Sequence, residues 1–181
     1  MLQDFPDIIR PAGIPREPRH IAVHHICTTP GPPTTSRTRR LAPDCLRIAK
    51  SEFEDMLRNG TARRSDSPWA STLHLVPKKE DGWRSCGEYR ALSANTVPDQ
   101  YPVRHIVDFA QSASQKVFST IDLVKPYHHI PVHPDYIAKT AIITPFGLFE
   151  FPYMSFGFRN SISAVHRRGT QSPGFLLRIY R

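Results

Sequence analysis

Residues 73–90 read LHLVPKKEDGWRSCGEYR, and this stretch decides the fold of the region around it. Two runs suited to β-strands, residues 73–76 and 83–89, flank residues 78–82. The Asp81-Gly82 pair suits a tight reversal between strands. We therefore predict a β-hairpin with a basic tip.

A helix is the clearest element upstream of this hairpin. Residues 43–59 place apolar side chains at helical spacing, with Pro43 near the start and Gly60 just past the end. These apolar residues are Leu46, Ala49, Phe53, Met56 and Leu57. One face of the helix must therefore pack against another element.

Shorter elements follow the first hairpin. Residues 104–113 favour a short helix, and residues 117–123 form a β-branched and aromatic run suited to a buried strand. A second hairpin is predicted from residues 140–144 and 148–153, which are separated by the reversal Pro145-Phe146-Gly147.

The charge balance separates the ends of the chain from its middle. A net charge of +8 fits a nucleic-acid partner, but it equally fits a merely soluble basic protein. The excess lies in residues 1–70 and 151–181, so charge alone locates no binding groove. The 18 prolines indicate much extended backbone, and we predict that residues 1–40 form an extended linker or arm.

Cysteine usage and hydropathy bear on the compartment. The three cysteines are too scattered for a zinc site, and their odd number argues against a disulfide framework, which favours an intracellular location. No stretch approaches the roughly 20 apolar residues of a membrane helix, and the first residues lack a charged and then apolar leader. We therefore expect neither membrane anchoring nor secretion.

Asp122 is the one residue whose position in the pattern suggests a metal ligand. It closes the apolar run of residues 117–121, which places a carboxylate at the end of a predicted buried strand. An aspartate in this position equally suits capping of the following turn. The position alone leaves both interpretations open.

A series of collinear blocks resembles the reverse transcriptases of gypsy-type retrotransposons. The blocks are residues 67–71, 73–79, 83–92, 118–122, 127–128, 130–132, 139–141, 144–151 and 154–157. The resemblance implies an α+β fold, namely a partial right-hand polymerase with fingers and an incomplete palm, built on an antiparallel sheet with flanking helices. The partial reverse transcriptase domain would span residues 41–166, with fingers at 41–96 and 131–155 and palm at 97–130 and 156–166.

The same resemblance implies an activity and a metal. The family copies RNA into DNA on a DNA primer, using deoxynucleoside triphosphates and two Mg²⁺ ions held by three aspartates. Asp122 matches the first of these aspartates, which makes it the candidate catalytic residue and metal ligand. The implied partners are therefore an RNA template, a DNA primer or hybrid, and the triphosphate.

Residues that match the triphosphate site of the family fall into three groups. Lys78, Lys79 and Arg84 match the fixed cations that face phosphate oxygens. Tyr127 matches the ring that blocks a 2′-hydroxyl. Phe156 and Gly157 match the block that lines the nucleotide pocket. Each residue also has an ordinary interpretation as a turn, surface or core residue.

The match fails where the rest of the metal site should be. The other two catalytic aspartates of the family lie in a Tyr-x-Asp-Asp turn downstream of the Phe-Gly block, and this sequence has no Asp-Asp pair. Pro126 stands where the family usually has Ala, which removes a possible N–H donor near the triphosphate. From Arg167 the resemblance disappears, so residues 167–181 are predicted to be an aberrant C-terminal tail.

Two functions from different classes follow. The first is a fragment of a retrotransposon RNA-directed DNA polymerase with little or no activity alone, because one carboxylate cannot hold two Mg²⁺ ions. The second is a non-catalytic module that binds nucleic acid through Arg84 and its basic neighbours, with Trp69 or Trp83 stacking on bases. A remnant without biochemical role is the third possibility.

Overall fold

The computed structural model describes residues 22–78, 82–101 and 126–170 of the chain. The predicted helix at residues 104–113, the predicted strand at residues 117–123 and the predicted tail beyond Thr170 lie outside these ranges. No helix within the described residues is long and apolar enough to cross a membrane.

Helix α1, Pro43–Arg58, confirms the predicted helix. Proline is tolerated at its first position because the first N–H of a helix has no partner within the helix. The apolar face buries Phe53, whose ring lies 5.5 Å from that of Phe146 and 4.9 Å from that of Phe149, measured between centroids. The chain leaves the helix through Gly60, whose φ of 69° is a conformation that glycine adopts readily.

Strands β1, Arg63–Arg64, β2, Ser71–Pro77, and β3, Trp83–Glu88, follow the helix, and the last two form the predicted first hairpin. Leu73 pairs with Gly87, and Val76 pairs with Arg84. The hairpin tip at residues 79–81 lies outside the described residues. Gly87 is required where it is, because a Cβ at this position would overlap the ring of Tyr89.

The predicted second hairpin is also present, with shorter arms. Strands β4, Ile142–Thr144, and β5, Gly147–Glu150, pair in antiparallel fashion around a reversal at residues 145–146. The Thr144 hydroxyl donates to the Gly147 carbonyl at 2.8 Å and accepts the Phe146 N–H, which closes the turn.

The five strands form one sheet in the order β1-β5-β4-β2-β3, and this sheet is mixed. The prediction of an antiparallel sheet was wrong in one pairing, because β2 and β4 run parallel, with Ser71 opposite Ile142. Parallel neighbours need a long connection, which residues 78–141 supply. The other pairings, including that of β1 with β5, are antiparallel.

The short helices lie around this sheet. They are α2, Arg90–Asn95, and α3, Ser161–Thr170, with 3₁₀-helices at Pro126–His129 and Pro134–Thr140. Helix α3 begins beyond the Phe-Gly block and continues to Thr170, past the predicted start of the tail at Arg167. The core between sheet and helices is largely aromatic and aliphatic, and its fully buried side chains include Tyr89, Phe53, Phe149, Ile26, Leu92, Ile130 and Met154.

Residues 22–40, here called the strap, run in extended conformation against this body. Three isolated β-bridges hold the strap, and they join His24 to Val132, Thr28 to Thr96 and Thr35 to Ala70. The strap also contributes the buried side chain of Ile26 to the core. The boundary between an arm and a domain at residue 40 remains a prediction.

Candidate functional site

The β2–β3 hairpin has one covered face and one open face. Helix α1 lies against the covered face, where Glu52 accepts the Ser85 N–H at 3.1 Å and Leu73 is buried. Side chains alternate along a strand, so Arg84 points the opposite way from Ser85. The other face, here called the front face, carries the exposed side chains of His74, Val76, Lys78 and Arg84 and the half-buried side chains of Cys86 and Glu88. At its base the strap covers Thr72, which is buried.

Two of the predicted triphosphate-binding cations share this front face. Lys78 continues the hairpin, because its N–H donates to the Gly82 carbonyl at 2.9 Å. The side chains of Lys78 and Arg84 are exposed. Within the described part of the chain, no hydrogen bond or ion pair joins either side chain to another residue. Lys79 lies outside the described residues.

The predicted pocket residues meet at the other end of the hairpin. Tyr127 is 6% exposed, and its ring meets that of Phe156 at 4.4 Å between centroids and 61° between planes. Phe156 remains 42% exposed, so it presents an open aromatic surface beside a buried one. The structure thus brings together two rings that are 29 positions apart in the sequence.

Gly157 ties this pair of rings to β3. A Cβ at this glycine would lie 3.5 Å from Cδ2 of Tyr89 and 3.6 Å from the carbonyl oxygen of Gly87. Its φ of 93° favours glycine, and Ser93 Oγ donates to its carbonyl at 3.1 Å. Arg84 lies three positions before Gly87 on β3, or about 10 Å along a strand that rises about 3.3 Å per residue.

The described residues supply no metal site. Among residues 22–78, 82–101 and 126–170, no group of three or more His, Cys, Asp or Glu side chains could hold a metal ion. Asp122, the predicted ligand, lies outside these ranges. The Mg²⁺ prediction therefore rests on sequence resemblance, and the described carboxylates do not fit it.

Arg90 is a candidate contact residue that the sequence did not single out. Its side chain forms two hydrogen bonds of 2.8 Å with the Glu88 carboxylate, and these bonds hold the pKa of Glu88 below its usual value. The side chain of Arg90 is 84% exposed despite this pairing.

Burial raises the pKa of the neighbouring Cys86, and Arg84 offsets this rise only in part, so Cys86 stays a thiol at neutral pH.

Lys139 attaches the strap to the body. Its Nζ donates to the Ile26 carbonyl and to Thr28 Oγ1, both at 2.9 Å. The same ammonium lies 4.8 Å from the ring centroid of Tyr136 and 5.4 Å from that of Trp69. Burial lowers the pKa of Lys139. Lys139 lies in one of the blocks that resemble reverse transcriptases, but the sequence predicted no role for it. Its partners lie in distant segments of the chain, so spacing could not reveal them.

The strap is also anchored through a buried histidine. His24 is 3% exposed and stacks on Phe158, with ring centroids 5.6 Å apart and planes 12° apart. Burial and the neighbouring His25 lower the pKa of His24 to about 4, while Asp99 opposes this shift. The His24 imidazole is therefore neutral near pH 7.

Neither tryptophan proposed for base stacking lies on the front face. Trp83 alternates with Arg84 along β3 and so points towards the covered face. The Trp69 ring is partly buried against the core and faces Lys139. Phe156 is the exposed aromatic residue near the predicted site.

Comparison with known proteins gives this arrangement a context. No protein-family model matches the chain. The chain is 33% identical over 150 residues to the retrovirus-related Pol polyprotein of transposon 297 of Drosophila melanogaster. It is 30% identical over 149 residues to the Pol polyprotein of transposon gypsy from the same organism. The alignments cover 80% and 78% of the chain. The chain corresponds to a region of gypsy-type retrotransposon Pol polyproteins.

The fold agrees with this relationship. The native protease–reverse transcriptase of prototype foamy virus superposes with a TM-score of 0.72 at 21% identity and covers 87% of the chain. The foamy viral protease–reverse transcriptase bound to an RNA/DNA hybrid superposes with a TM-score of 0.71 at 22% identity, over 88% of the chain. The described fold is therefore that of a reverse-transcriptase region, with a mixed five-stranded sheet.

The chain spans only a small part of the relatives that it matches. It covers 14% of each of the two Drosophila polyproteins and 22% of each of these two foamy virus chains. The activity and partners of the longer proteins therefore enter only as proposals.

Proposed function

We propose that the chain is the fingers and part of the palm of a retrotransposon RNA-directed DNA polymerase, which binds nucleic acid and nucleotide but does not polymerise alone. In this proposal the partial domain spans residues 41–166, with fingers at 41–96 and 131–155 and palm at 97–130 and 156–166. The main support for this proposal is that Tyr127, Phe156 and Gly157 lie together at one end of the hairpin that bears Arg84.

Arg84 and the two lysines would bind the triphosphate. The exposed guanidinium of Arg84 and the exposed ammonium of Lys78 suit phosphate oxygens, because hydrogen bonds between ionised groups are about twice as strong as neutral ones. Lys79 would add a third cation from the hairpin tip. An intracellular location accords with these substrates.

Tyr127 and Phe156 would receive the sugar and base. The Tyr127 ring is held from one side by Phe156, so it can act as a fixed wall against a 2′-hydroxyl. Gly157 lets the backbone turn directly behind this wall, because its φ of 93° would strain a residue that carries a Cβ, although such a Cβ would make only ordinary van der Waals contact with Tyr89 and Gly87.

The chain would lack catalysis because its metal ligands are incomplete. Mg²⁺ dehydrates reluctantly and needs convergent oxygen ligands, and the two-metal mechanism needs more than one carboxylate. Within the 181 residues, Asp122 is matched to a catalytic aspartate, and no Tyr-x-Asp-Asp turn follows it.

Primer extension on a primed RNA template tests the catalytic half of this proposal. With Mg²⁺ and all four deoxynucleoside triphosphates, the chain should extend the primer no further than its Asp122→Asn variant does. Mg²⁺-dependent extension that disappears in Asp122→Asn would show that the chain is an active polymerase and overturn the proposed inactivity.

Equilibrium binding tests the other half. A labelled RNA/DNA hybrid with a single-stranded template overhang should bind the chain, and Arg84→Ala should weaken that binding, since Arg84 lies on the exposed front face. Arg58→Ala is the matched control, because Arg58 is an exposed arginine of α1 already paired with Asp55. Equal affinity of Arg84→Ala and the unmodified chain would remove the support for a front-face site.

A non-catalytic nucleic-acid-binding protein is the second candidate. The exposed cations of the front face favour it, because phosphate contacts need neither a metal nor a complete palm. The two candidates differ in the triphosphate. A polymerase fragment should bind a deoxynucleoside triphosphate, and the Tyr127→Ala and Arg84→Ala substitutions should weaken that binding. A pure nucleic-acid binder should not distinguish the triphosphate from inorganic phosphate.

A further inference from the structure

The strap carries a cluster of cations that the proposed function does not use. Arg37, Arg39 and Arg40 are exposed, and residues 22–43 contain no Asp or Glu. No hydrogen bond or ion pair joins these three side chains to the described part of the chain. Three exposed arginines within four positions repel one another, so they gain from an anionic partner.

Backbone hydrogen bonds fix where this cluster lies. The Ser36 N–H donates to the Ala70 carbonyl at 2.8 Å, and the Ala70 N–H donates to the Thr34 carbonyl at 3.0 Å. Two positions further on, Thr72 Oγ1 donates to the Arg37 carbonyl at 3.4 Å. The strap therefore runs beside the start of β2, and Arg37 lies at the base of the front face.

Thr72 connects the strap to the basic residues of the hairpin. It is the direct cross-strand partner of Glu88, and Glu88 holds the exposed side chain of Arg90. Directly opposed residues of antiparallel strands have Cα atoms about 4.5–5.5 Å apart. Arg37 and Arg90 therefore converge on the same end of the hairpin.

The front face supplies the rest of a continuous row. Lys78, the residue after β2, is six positions from Thr72, which corresponds to about 20 Å at about 3.3 Å per residue. Arg84 lies along this length, and Glu88, the acid within it, is already paired with Arg90. Exposed His74 and Val76 lie between the cations and offer surfaces for bases.

We propose that Arg37, Arg39 and Arg40 of the strap bind the phosphodiester backbone of a single nucleic-acid strand that continues from the front face. The inference rests on the proposed function, because it extends the front-face site by three contacts. A single strand fits because the row is one hairpin wide and because its cations follow one another along a line.

Salt dependence gives the expected size of the effect. Each phosphate contact to a single strand contributes about 0.7 to the slope of log affinity against log salt, so three contacts contribute about 2. Loss of these contacts should weaken binding about 100-fold at about 0.1 M salt, if the arginines act mainly by releasing counterions.

The test uses fluorescence anisotropy of the full chain with a labelled single-stranded oligonucleotide over a range of salt concentrations. The strap variant is Arg37→Gln, Arg39→Gln and Arg40→Gln together. The matched control removes the same charge from α1, through Arg47→Gln, Lys50→Gln and Arg58→Gln, which are all exposed. Replacement of the strap arginines by lysine keeps the charge and should keep the slope.

Each outcome decides between the strap and the front face. A slope reduced by about 2 in the strap variant, with the α1 variant unchanged, supports the inference. Loss of affinity on Arg84→Ala with none in the strap variant overturns the inference and leaves the proposed function intact. Equal losses of affinity in the strap and α1 variants would show that net charge alone causes the effect, and they would overturn the inference. No loss in any variant overturns both.

A folding control separates binding from stability. The strap is held by backbone hydrogen bonds and by Lys139, so the glutamine substitutions should leave thermal unfolding unchanged. If the strap variant unfolds early, the single substitutions Arg39→Gln and Arg40→Gln decide the question, because each should reduce the slope by about 0.7 if its arginine contacts a phosphate and by nothing if it does not. Binding of anionic lipid vesicles that equals oligonucleotide binding would identify a general anion surface and overturn the assignment to nucleic acid.

Discussion

His24→Phe is expected to remove a pH-dependent loss of stability. The His24 ring is buried against Phe158, and its pKa is about 4 in the folded chain against a value of 6.5 in the unfolded chain. The folded state therefore binds this proton less tightly than the unfolded state does. Stability contributed by the neutral ring is complete above pH 6.5 and is lost as the pH falls towards about 4.

The size of the loss follows from the two pKa values. A separation of about 2.5 units corresponds to about 3 kcal/mol, at about 1.4 kcal/mol per unit. Most of that loss, about 2.5 kcal/mol, should develop between about pH 7.5 and pH 4.5. Phenylalanine cannot titrate and keeps an aromatic ring over Phe158, so the variant should lack this part of the pH dependence.

Urea denaturation at the two pH values, followed by tryptophan fluorescence, measures the effect. Carboxylates also titrate in this range, so the relevant quantity is the difference in pH dependence between the variant and the unmodified chain. His74→Phe is the matched control, because His74 is an exposed histidine of β2, outside the strap. A His24→Phe chain that loses as much stability on acidification as the unmodified chain would refute the buried neutral histidine.

Three further substitutions probe the attachments of the strap and the site. Lys139→Met should lower the free energy of unfolding by about 2 kcal/mol, because it leaves two strap oxygens without their donor; urea denaturation should show no such loss for Lys50→Met, an exposed control. Gly157→Ala should lower the free energy of unfolding by about 1–2 kcal/mol, because the φ of 93° at this position strains alanine. An unchanged melting temperature would show that this strain is absent. Tyr89→Phe should cost about 1 kcal/mol by removing the 2.9 Å hydrogen bond to the Thr140 carbonyl, as thermal unfolding would reveal.

The elements that the sequence predicted well are those whose signals are local. Turn residues and alternation lie within a few positions of each other in both hairpins, and α1 carries its proline, its apolar spacing and its terminal glycine in one segment. Such patterns determine local conformation because the interacting atoms are neighbours in the chain. They say nothing about how the hairpins join, so the parallel pairing of β2 with β4 was missed.

The candidate site divides in the same way. Resemblance identified Tyr127, Phe156 and Gly157, and the structure brings them together. The roles of Arg90 and Lys139 depend on partners in other segments, so spacing could not reveal them. The roles of Asp122 and Lys79, which lie outside the described residues, remain predictions.

The parallel pairing of β2 with β4 also sets an order of events during synthesis on the ribosome. The β2–β3 hairpin can close as soon as it emerges, but Ser71 must wait for Ile142 before the sheet can join. Closing a loop of this length costs about 2 kcal/mol more entropy than closing a tight hairpin. Until then one edge of β2 has unpaired backbone groups, and an unpaired strand edge is open to pairing with another chain.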